Sequence, residues 1–288
     1  MPFETAPLLH SLLSLAWVVE ARDPYTGGHL WRVSQFSMLL AKRVGCGPAE
    51  TARIGLGGFL HDLGKIGIPD RILNKPDRLT EEEYAVIKTH PRIGSGLLGA
   101  HPYRALIEAA VFLHHETPDG KGYPNGLTSE RIPLEARIVG LTDAFDAMTS
   151  TRPYRKGMPK AKALEIVASC RGTQFDADLA DGLAALAGEG LLEPIIGHSE
   201  PHIPLQECVE CGPTILVTRR NLDGDLVYCR ACGGGARLRK EAGGIALIDE
   251  DIHGDAGQLA AAPDSDLIRD LIAEQFLAAL PEADARFA

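Results

Sequence analysis

The most constraining feature of the sequence is a short apolar stretch, residues 59–67, that contains an adjacent histidine and aspartate. It reads Phe-Leu-His-Asp-Leu-Gly-Lys-Ile-Gly, with His61 and Asp62 side by side and Lys65 three residues later. A neutral imidazole and a carboxylate can bind one metal ion together, and the second carboxylate oxygen can bridge to another ion. Taken alone, the pair is equally well explained as a buried histidine hydrogen-bonded to its neighbour. The positions of the other histidines distinguish the two explanations.

Five of the ten histidines lie at the ends of predicted helices, beside apolar residues or helix breakers, and two aspartates join them. The set consists of His29, His61, His90, His114, His115, Asp62 and Asp143. Imidazole and carboxylate ligands together suit iron, manganese, nickel or zinc. Seven ligands exceed one tetrahedral site, so the set predicts two ions that share a bridging ligand.

Apolar periodicity predicts an all-helical region up to about residue 195. The predicted helices cover about 7–22, 28–44, 48–62, 80–91, 103–115, 133–150, 159–170 and 176–188. Thr80 with Glu83 three residues later is typical of a helix start. The predicted fold is therefore mainly α, with a helical-bundle domain over 1–195.

The remainder of the chain has a different composition. Residues 198–249 contain cysteine pairs, β-branched runs and Asp223-Gly224, which predicts a hairpin turn. Residues 250–288 are predicted to form an acidic linker and a C-terminal amphipathic helix over Asp264–Leu280, whose apolar face predicts a docking surface. We therefore expect a small β module and one further helix after the helical domain.

Charge and hydropathy limit the environments and partners to consider. The net charge is −10, and the 11 acidic and 2 basic residues from Glu241 onward account for nearly all of it. The rest of the chain is close to neutral, which argues against a nucleic-acid partner. No stretch approaches the roughly 20 apolar residues of a membrane span. Because a signal-peptide pattern is also absent from the start of the sequence, we expect a cytoplasmic protein.

Several sequence blocks resemble the HD-GYP family of the HD phosphohydrolase superfamily. They are His61-Asp62, Leu63–Pro69, His114-His115-Glu116-x-x-Asp119-Gly120-x-Gly122-Tyr123-Pro124, Asp143–Thr149, Arg152–Arg155 and Gly172–Asp176. The similarity covers about residues 10 to 190. It implies a helical bundle that hydrolyses the bacterial second messenger cyclic di-GMP to pGpG and often GMP. The resemblance further implies a hydroxide activated by two divalent metal ions, with iron or manganese the first candidates.

The resemblance also implies a role for individual residues. The metal ligands of the family fall on the seven histidines and aspartates named above, and Asp62 and Lys65 fall on catalytic positions. Tyr123, Arg152 and Arg155 fall on positions that contact the substrate. Some members hold three metals and carry a glutamate four residues before the first histidine, where this chain has Tyr25. The resemblance therefore implies two metals here.

The C-terminal module contains two cysteine pairs with the spacing of a metal site. Cys208-x-x-Cys211 and Cys229-x-x-Cys232 are separated by 17 residues, which matches a common zinc pattern. The module resembles a zinc ribbon, in which four thiolates form a closed structural site for one zinc ion. A redox dithiol pair and an iron site of the rubredoxin kind are the alternatives. We expect this module to be separable from the chemistry of the helical domain.

Three functional hypotheses follow from the sequence. The first is a dinuclear-metal cyclic di-GMP phosphodiesterase, which the complete ligand set favours. The second is an HD hydrolase of another nucleotide, and the third is a cyclic di-GMP sensor that recruits a partner through the ribbon. A diguanylate cyclase is a candidate protein partner, and a homodimer is a candidate assembly.

Overall fold

The computed structural model describes residues 5–23, 26–75, 77–151, 155–241, 244–260 and 262–280. It is mainly helical, which confirms the predicted fold class, and its sheets lie in the C-terminal third. In the described part of the chain, the α-helices before the first strand are α1 (Thr5–Glu20), α2 (His29–Arg43), α3 (Pro48–Leu60), α4 (Asp70–Leu73), α5 (Glu81–Ile87), α6 (His90–Leu98), α7 (Arg104–Leu113), α8 (Leu134–Thr149), α9 (Lys160–Ser169) and α10 (Ala177–Gly188). Short 3₁₀ turns cover Leu63–Gly67 and Ser129–Arg131.

The central helices α2 and α3 bury their apolar faces in one core. Phe36 and Leu40 of α2 and Ile54 and Phe59 of α3 are buried in the same cluster. Phe36 meets Phe145 of α8 edge-on, with ring centroids 5.4 Å apart, a favourable aromatic geometry. This packing fixes the ends of α2, α3 and α8, where the candidate ligands are carried.

The segment predicted as one helix over 80–91 forms two helices instead. Its start is as predicted, because the Thr80 hydroxyl accepts from the Glu83 amide and the Glu83 carboxylate accepts from the Thr80 amide. However, α5 ends at Ile87 and α6 begins at His90. Pro91 explains the break, since proline lacks an N–H and fits only the first turn of a helix. The break places His90 at a helix start.

Seven short strands follow the helical region in the described residues, and all their pairings are antiparallel. They are β1 (His198–Glu200), β2 (Ile203–Pro204), β3 (Gln206–Cys208), β4 (Gly212–Ile215), β5 (Leu226–Tyr228), β6 (Gly234–Glu241) and β7 (Gly244–His253). β1 pairs with β2, β3 with β4, and β5, β6 and β7 form one sheet in that order. Strand β7 continues to His253, past the expected module boundary at residue 249.

The predicted hairpin at Asp223-Gly224 is wrong, because the strands on either side of it, β4 and β5, belong to different sheets. The turn folds against β6 instead. The Gly224 amide donates to the Leu238 carbonyl at 2.8 Å, and the Asp223 carboxylate accepts from the Lys240 amide at 2.9 Å. The turn residues thus hydrogen-bond to β6, next to the residues of β6 that pair with β5.

The C-terminal helical segment returns to the helical domain. It consists of α11 (Ser265–Leu271), a π-helical turn over Ile272–Phe276 and a 3₁₀ turn over Leu277–Ala279. Its buried residues Leu267, Ile268 and Phe276 belong to the same core cluster as α2 and α3. The amphipathic face predicted from the sequence is therefore covered by the helical domain. Among the described residues, no helix is long and apolar enough to cross a membrane.

Candidate metal centre

The seven predicted ligands converge from four helix ends and one helix interior. His29 and His90 are the first residues of α2 and α6, His61-Asp62 and His114-His115 directly follow α3 and α7, and Asp143 lies within α8. Three overlapping groups have their ligand atoms within 4.8 Å of one another: His29, His61 and Asp143; His90, His114 and His115; and His61, Asp62 and His114. The core packing thus brings together all seven residues named from the sequence.

The Asp62 carboxylate lies between the two histidine groups. Its Oδ2 atom is 3.3 Å from His61 Nε2 and 3.6 Å from His29 Nε2, whereas its Oδ1 atom is 3.5 Å from His90 Nε2. One oxygen therefore faces each group. This is the arrangement that a bridging carboxylate between two metal ions requires.

The imidazoles are oriented by hydrogen bonds at Nδ1. In His61, His90 and His114 this atom lies 2.7–2.9 Å from the carbonyl oxygen of Gly58, Ile87 or Ala110, respectively. Since a carbonyl only accepts, each Nδ1 carries a proton, so the neutral rings of His90 and His114 direct an Nε2 lone pair into the site, and the ring of His61 does so once its second proton has left. This is the tautomer that a metal-binding histidine adopts when its second nitrogen is held by an acceptor.

Two observations show that a cation fits between these side chains. The Nε2 atoms of His29 and His61 are buried and have no hydrogen-bond partner among the described residues. The Nε2 atoms of His90 and His114 face each other at 3.3 Å, although neither carries a proton in the tautomer described above. A metal ion would pair the isolated nitrogens and relieve the repulsion between facing lone pairs.

The electrostatics of the two halves of the site differ. Burial lowers the pKa of His61, but Asp62 and Asp143 outweigh it and raise that pKa to about 10. Burial lowers the pKa of His115 to about 3, and burial with the neighbouring imidazoles lowers the pKa of His114 well below its usual range. The part of the site around His61, Asp62 and Asp143 therefore attracts positive charge strongly. The neutral imidazoles of His114 and His115 can bind a metal without losing a proton.

Asp146 and Arg32 support the centre but were not assigned a role from the sequence. Asp146 Oδ2 accepts from His29 Nδ1 at 2.8 Å, and the Arg32 guanidinium donates to both Asp146 oxygens at 2.6 and 3.1 Å. Burial raises the pKa of Asp146, but Arg32 and His29 hold it far below its usual range. The available signals were a second aspartate three residues after Asp143, on the same helix face, and an arginine inside the apolar helix α2.

A cavity of about 770 Å³ opens over the ligands Asp62, His90, His114, His115 and Asp143. Lys65 lies in its wall, with Nζ 2.6 Å from Asp62 Oδ2. The cavity also contains several further basic side chains: Lys75, Arg78, Lys121, Arg137 and Arg155. Six acidic side chains line the same cavity, Asp62 and Asp143 among them, so bound cations would add to the positive charge that faces a ligand. A cavity of this size suits a ligand larger than a single phosphate.

The residues implied to contact the substrate have different positions. Tyr123 lines the cavity, and its ring stacks on His115 with centroids 4.6 Å apart. Arg155 also lines it, but its guanidinium donates to the carbonyl oxygens of Ala147 and Met148 at the end of α8. Arg152 lies outside the described residues, and so does Tyr25.

The four cysteines of the C-terminal module also converge. All four sulfur atoms lie within 4.8 Å of one another, and Cys208 Sγ is 3.6 Å from Cys232 Sγ. This separation is too long for a disulfide and fits thiolates around one tetrahedral ion. The glycines after the two pairs, Gly212 and Gly233, have φ of +78° and +83°, a conformation that favours glycine and allows the tight turns.

The sequence was compared with known proteins. A family model described as HD domain matches residues 14–179. The cyclic di-GMP phosphodiesterase response regulator RpfG of Xanthomonas campestris pv. campestris is 44% identical over 190 residues, which cover 65% of this chain and 50% of that protein. A cyclic di-GMP phosphodiesterase of Thermotoga maritima is 38% identical over 184 residues, with 63% and 50% covered.

A relative named for a different substrate also matches. The 3'3'-cGAMP-specific phosphodiesterase 3 of Vibrio cholerae is 35% identical over 177 residues, which cover 61% of this chain and 38% of that protein. This chain thus spans half or less of the length of these three relatives.

Proposed function

The chain belongs to the HD domain family, and we propose that it is a metal-dependent phosphodiesterase that hydrolyses cyclic di-GMP to pGpG and, by a second cleavage, GMP. The observation that carries the proposal is the pair of histidine groups on either side of Asp62, at the base of a cavity lined in part by basic side chains. The names of the relatives from Xanthomonas and Thermotoga support the substrate.

We propose that the helical domain holds two divalent transition metal ions, iron or manganese, and that the four cysteines hold one zinc ion. Mixed imidazole and carboxylate ligands suit iron and manganese, whereas four thiolates in a closed site suit zinc. His29, His61 and Asp143 would bind one ion, and His90, His114 and His115 the other, with Asp62 between them. We also propose that Asp62 and Lys65 are the catalytic residues named by the resemblance.

Divalent ions in such a centre supply Lewis acidity and lower the pKa of a bound water from about 15.7 toward about 7. The chain itself supplies the surrounding charges. Lys65, beside Asp62 in the cavity wall, can neutralise charge that develops on a phosphoryl oxygen. Burial and the neighbouring Tyr84 raise the pKa of Tyr123, so its hydroxyl keeps its proton and can donate to phosphate.

A second phosphate contact is proposed at Arg78. Arg78 is exposed in the cavity and forms no ion pair with a described residue. Lys75 and Arg137 in the same wall are already paired, with Glu83 and Asp176. Arg78 is therefore the basic cavity residue whose donors are most available to a ligand. Arg152 and Arg155 remain proposed contacts from the resemblance.

The alternative substrate is another cyclic dinucleotide, because the relative from Vibrio is named for 3'3'-cGAMP. The test is to incubate purified, metal-analysed protein with cyclic di-GMP and, separately, with 3'3'-cGAMP, and to resolve the products by chromatography. We expect faster turnover of cyclic di-GMP, with Asp62→Ala as the inactive control. Tight binding of cyclic di-GMP without turnover by fully metal-loaded protein would favour the sensor hypothesis instead.

The division expected from the sequence, a domain over 1–195, a module over 198–249 and a tail over 250–288, stays a proposal, and the packing of Leu267, Ile268 and Phe276 in the core of the first domain favours assigning the last helical segment to that domain. A diguanylate cyclase partner, a homodimer, the lack of a nucleic-acid partner and a cytoplasmic location also stay predictions. Limited proteolysis and size-exclusion chromatography with light scattering would test the domain division and the dimer.

A further inference from the structure

The four-cysteine module packs directly against the start of α2, the helix whose first residue is the candidate ligand His29. Gly28 precedes that helix with φ of +73°, and a Cβ added to it would lie 2.6 Å from Ser199 Cα. The neighbouring Gly27 is also close to the C-terminal region, since a Cβ there would lie 3.0 Å from the Leu216 side chain. The turn that presents His29 therefore has no room to shift toward the module.

Arg32 connects this contact to the metal centre. Its side chain is fully buried, and all five of its N–H groups have acceptors. Nε and Nη2 donate to Asp146, Nη2 also to Ser150, and Nη1 to the carbonyl oxygens of Gly27 and His198 at 2.8 and 2.9 Å. Asp146 in turn accepts from His29 Nδ1. One of the five acceptors of Arg32 is therefore supplied by strand β1, beyond the helical domain.

Strand β1 is held in place by the core of the four-cysteine module. The single proton of the Ser199 hydroxyl is shared between the carbonyl oxygens of Ile203 and Val217, which lie 3.3 and 3.4 Å from Oγ. The Val217 side chain is buried in the cluster that contains Cys208 and Cys229. A continuous path of buried contacts therefore runs from the cysteines through Val217 and β1 to Arg32.

We propose that Arg32 is a positioning residue of the metal centre, and that the four-cysteine module completes its hydrogen bonding through the His198 carbonyl. Loading of the cysteine site then raises the metal affinity of the helical-domain site. The reason is that a shifted β1 leaves a buried guanidinium N–H without an acceptor, and Arg32 then holds Asp146 and His29 less firmly. Because coupling between binding sites is reciprocal, metal in the helical site also tightens the cysteine site.

The sequence predicted a module that is separable from the chemistry of the helical domain, whereas the proposed coupling links the two metal sites. It uses the metal centre of the proposed function but does not depend on the substrate. Metal affinity is therefore the readout, so failure of the coupling and failure of the proposed hydrolysis are observed in separate experiments.

The first experiment compares the Cys208→Ser and Cys170→Ser variants of this chain, because Cys170 is a partly buried cysteine of the helical domain. Zinc content is measured by mass spectrometry, and Mn²⁺ affinity by the electron paramagnetic resonance of free Mn²⁺, a probe that prefers imidazole and carboxylate to thiolate. We expect Cys208→Ser to lose zinc and to weaken Mn²⁺ binding by about 10-fold or more, while Cys170→Ser matches wild type. Loss of zinc with unchanged Mn²⁺ affinity would overturn the proposal.

A milder variant covers the case in which Cys208→Ser does not fold. Thr214→Val removes the hydroxyl that lies 3.1 Å from Cys229 Sγ, and its Mn²⁺ affinity should rise on addition of one equivalent of Zn²⁺. An Mn²⁺ affinity that ignores added Zn²⁺ would contradict the coupling.

The second experiment tests whether the coupling passes through Arg32. Arg32→Lys keeps the charge but loses the fork that contacts both Asp146 and β1. If Arg32 carries the coupling, Cys208→Ser should weaken Mn²⁺ binding much less in the Arg32→Lys background than in wild type. If Cys208→Ser instead weakens Mn²⁺ binding by the same factor in the Arg32→Lys background as in wild type, Arg32 is not the route.

Discussion

The C-terminal helical segment is predicted to be an essential part of the helical domain, and Phe276→Ala tests this. The Phe276 side chain has 0% exposure and lies in the core cluster shared with α2 and α3. A Cβ added to Gly55 of α3 would lie 3.5 Å from the Phe276 ring, which places the ring less than two helical turns before His61. Replacement of a buried phenylalanine by alanine typically costs about 3–5 kcal/mol.

The assay is thermal unfolding of the metal-loaded protein, followed by circular dichroism at the helical band. In a domain of this size each kcal/mol shifts the Tm by roughly 2–4 °C, so Phe276→Ala should lower it by about 6–20 °C. The matched control is Leu277→Ala, which removes an apolar side chain of the same segment that is 42% exposed. We expect that variant to shift the Tm by only a few degrees.

The same argument predicts the fate of a truncated chain. Five large apolar side chains of the segment are buried: Leu267, Ile268, Leu271, Ile272 and Phe276. At about 1.5–3 kcal/mol each, their loss is on the order of 10 kcal/mol, comparable with the whole stability of a domain. A chain ending near residue 200 should therefore not fold stably. Equal melting temperatures for Phe276→Ala and Leu277→Ala, or a stable truncated domain, would refute this reasoning.

Three further predictions concern the metal centre. Asp62→Ala should reduce bound metal below two ions in the helical domain and abolish hydrolysis, because a bridge to both histidine groups is lost; full activity with unchanged metal content would contradict the dinuclear assignment. The pKa of His61 is about 10 without metal, so its proton must leave before a metal ion binds. Mn²⁺ affinity should therefore rise by about tenfold per pH unit between about pH 7 and about pH 9, the slope for one displaced proton. Calorimetry in buffers of different ionisation enthalpy would reveal that proton, and an affinity independent of pH would exclude it. Gly64→Ala should weaken Mn²⁺ binding by about 10-fold or more, because its Cβ would lie 1.8 Å from the His90 carbonyl oxygen, whereas Gly96→Ala on α6 meets nothing within 4 Å and should match wild type.

The sequence alone was sufficient to name the seven histidines and aspartates that the structure brings together. His61-Asp62 alone does not distinguish a ligand pair from a buried hydrogen-bonded histidine, but five histidines and two aspartates spread over successive helices together indicate metal ligation. The helices were predictable because apolar periodicity and caps such as Thr80 with Glu83 act over a few neighbouring residues. The cysteine spacing predicted the second cluster for the same reason, since each Cys-x-x-Cys pair is a local turn.

Only the tertiary structure decided how these parts meet. It grouped His29 with His61 and Asp143, and it placed Asp62 with one oxygen toward each group, because these relations depend on how distant helices cross. Asp146 and Arg32 escaped prediction because their partners lie more than a hundred residues away in the chain. Periodicity predicts that a helix has an apolar face but not what covers it. Packing of the whole chain therefore determined that the C-terminal segment closes the helical core and that β1 contacts Arg32.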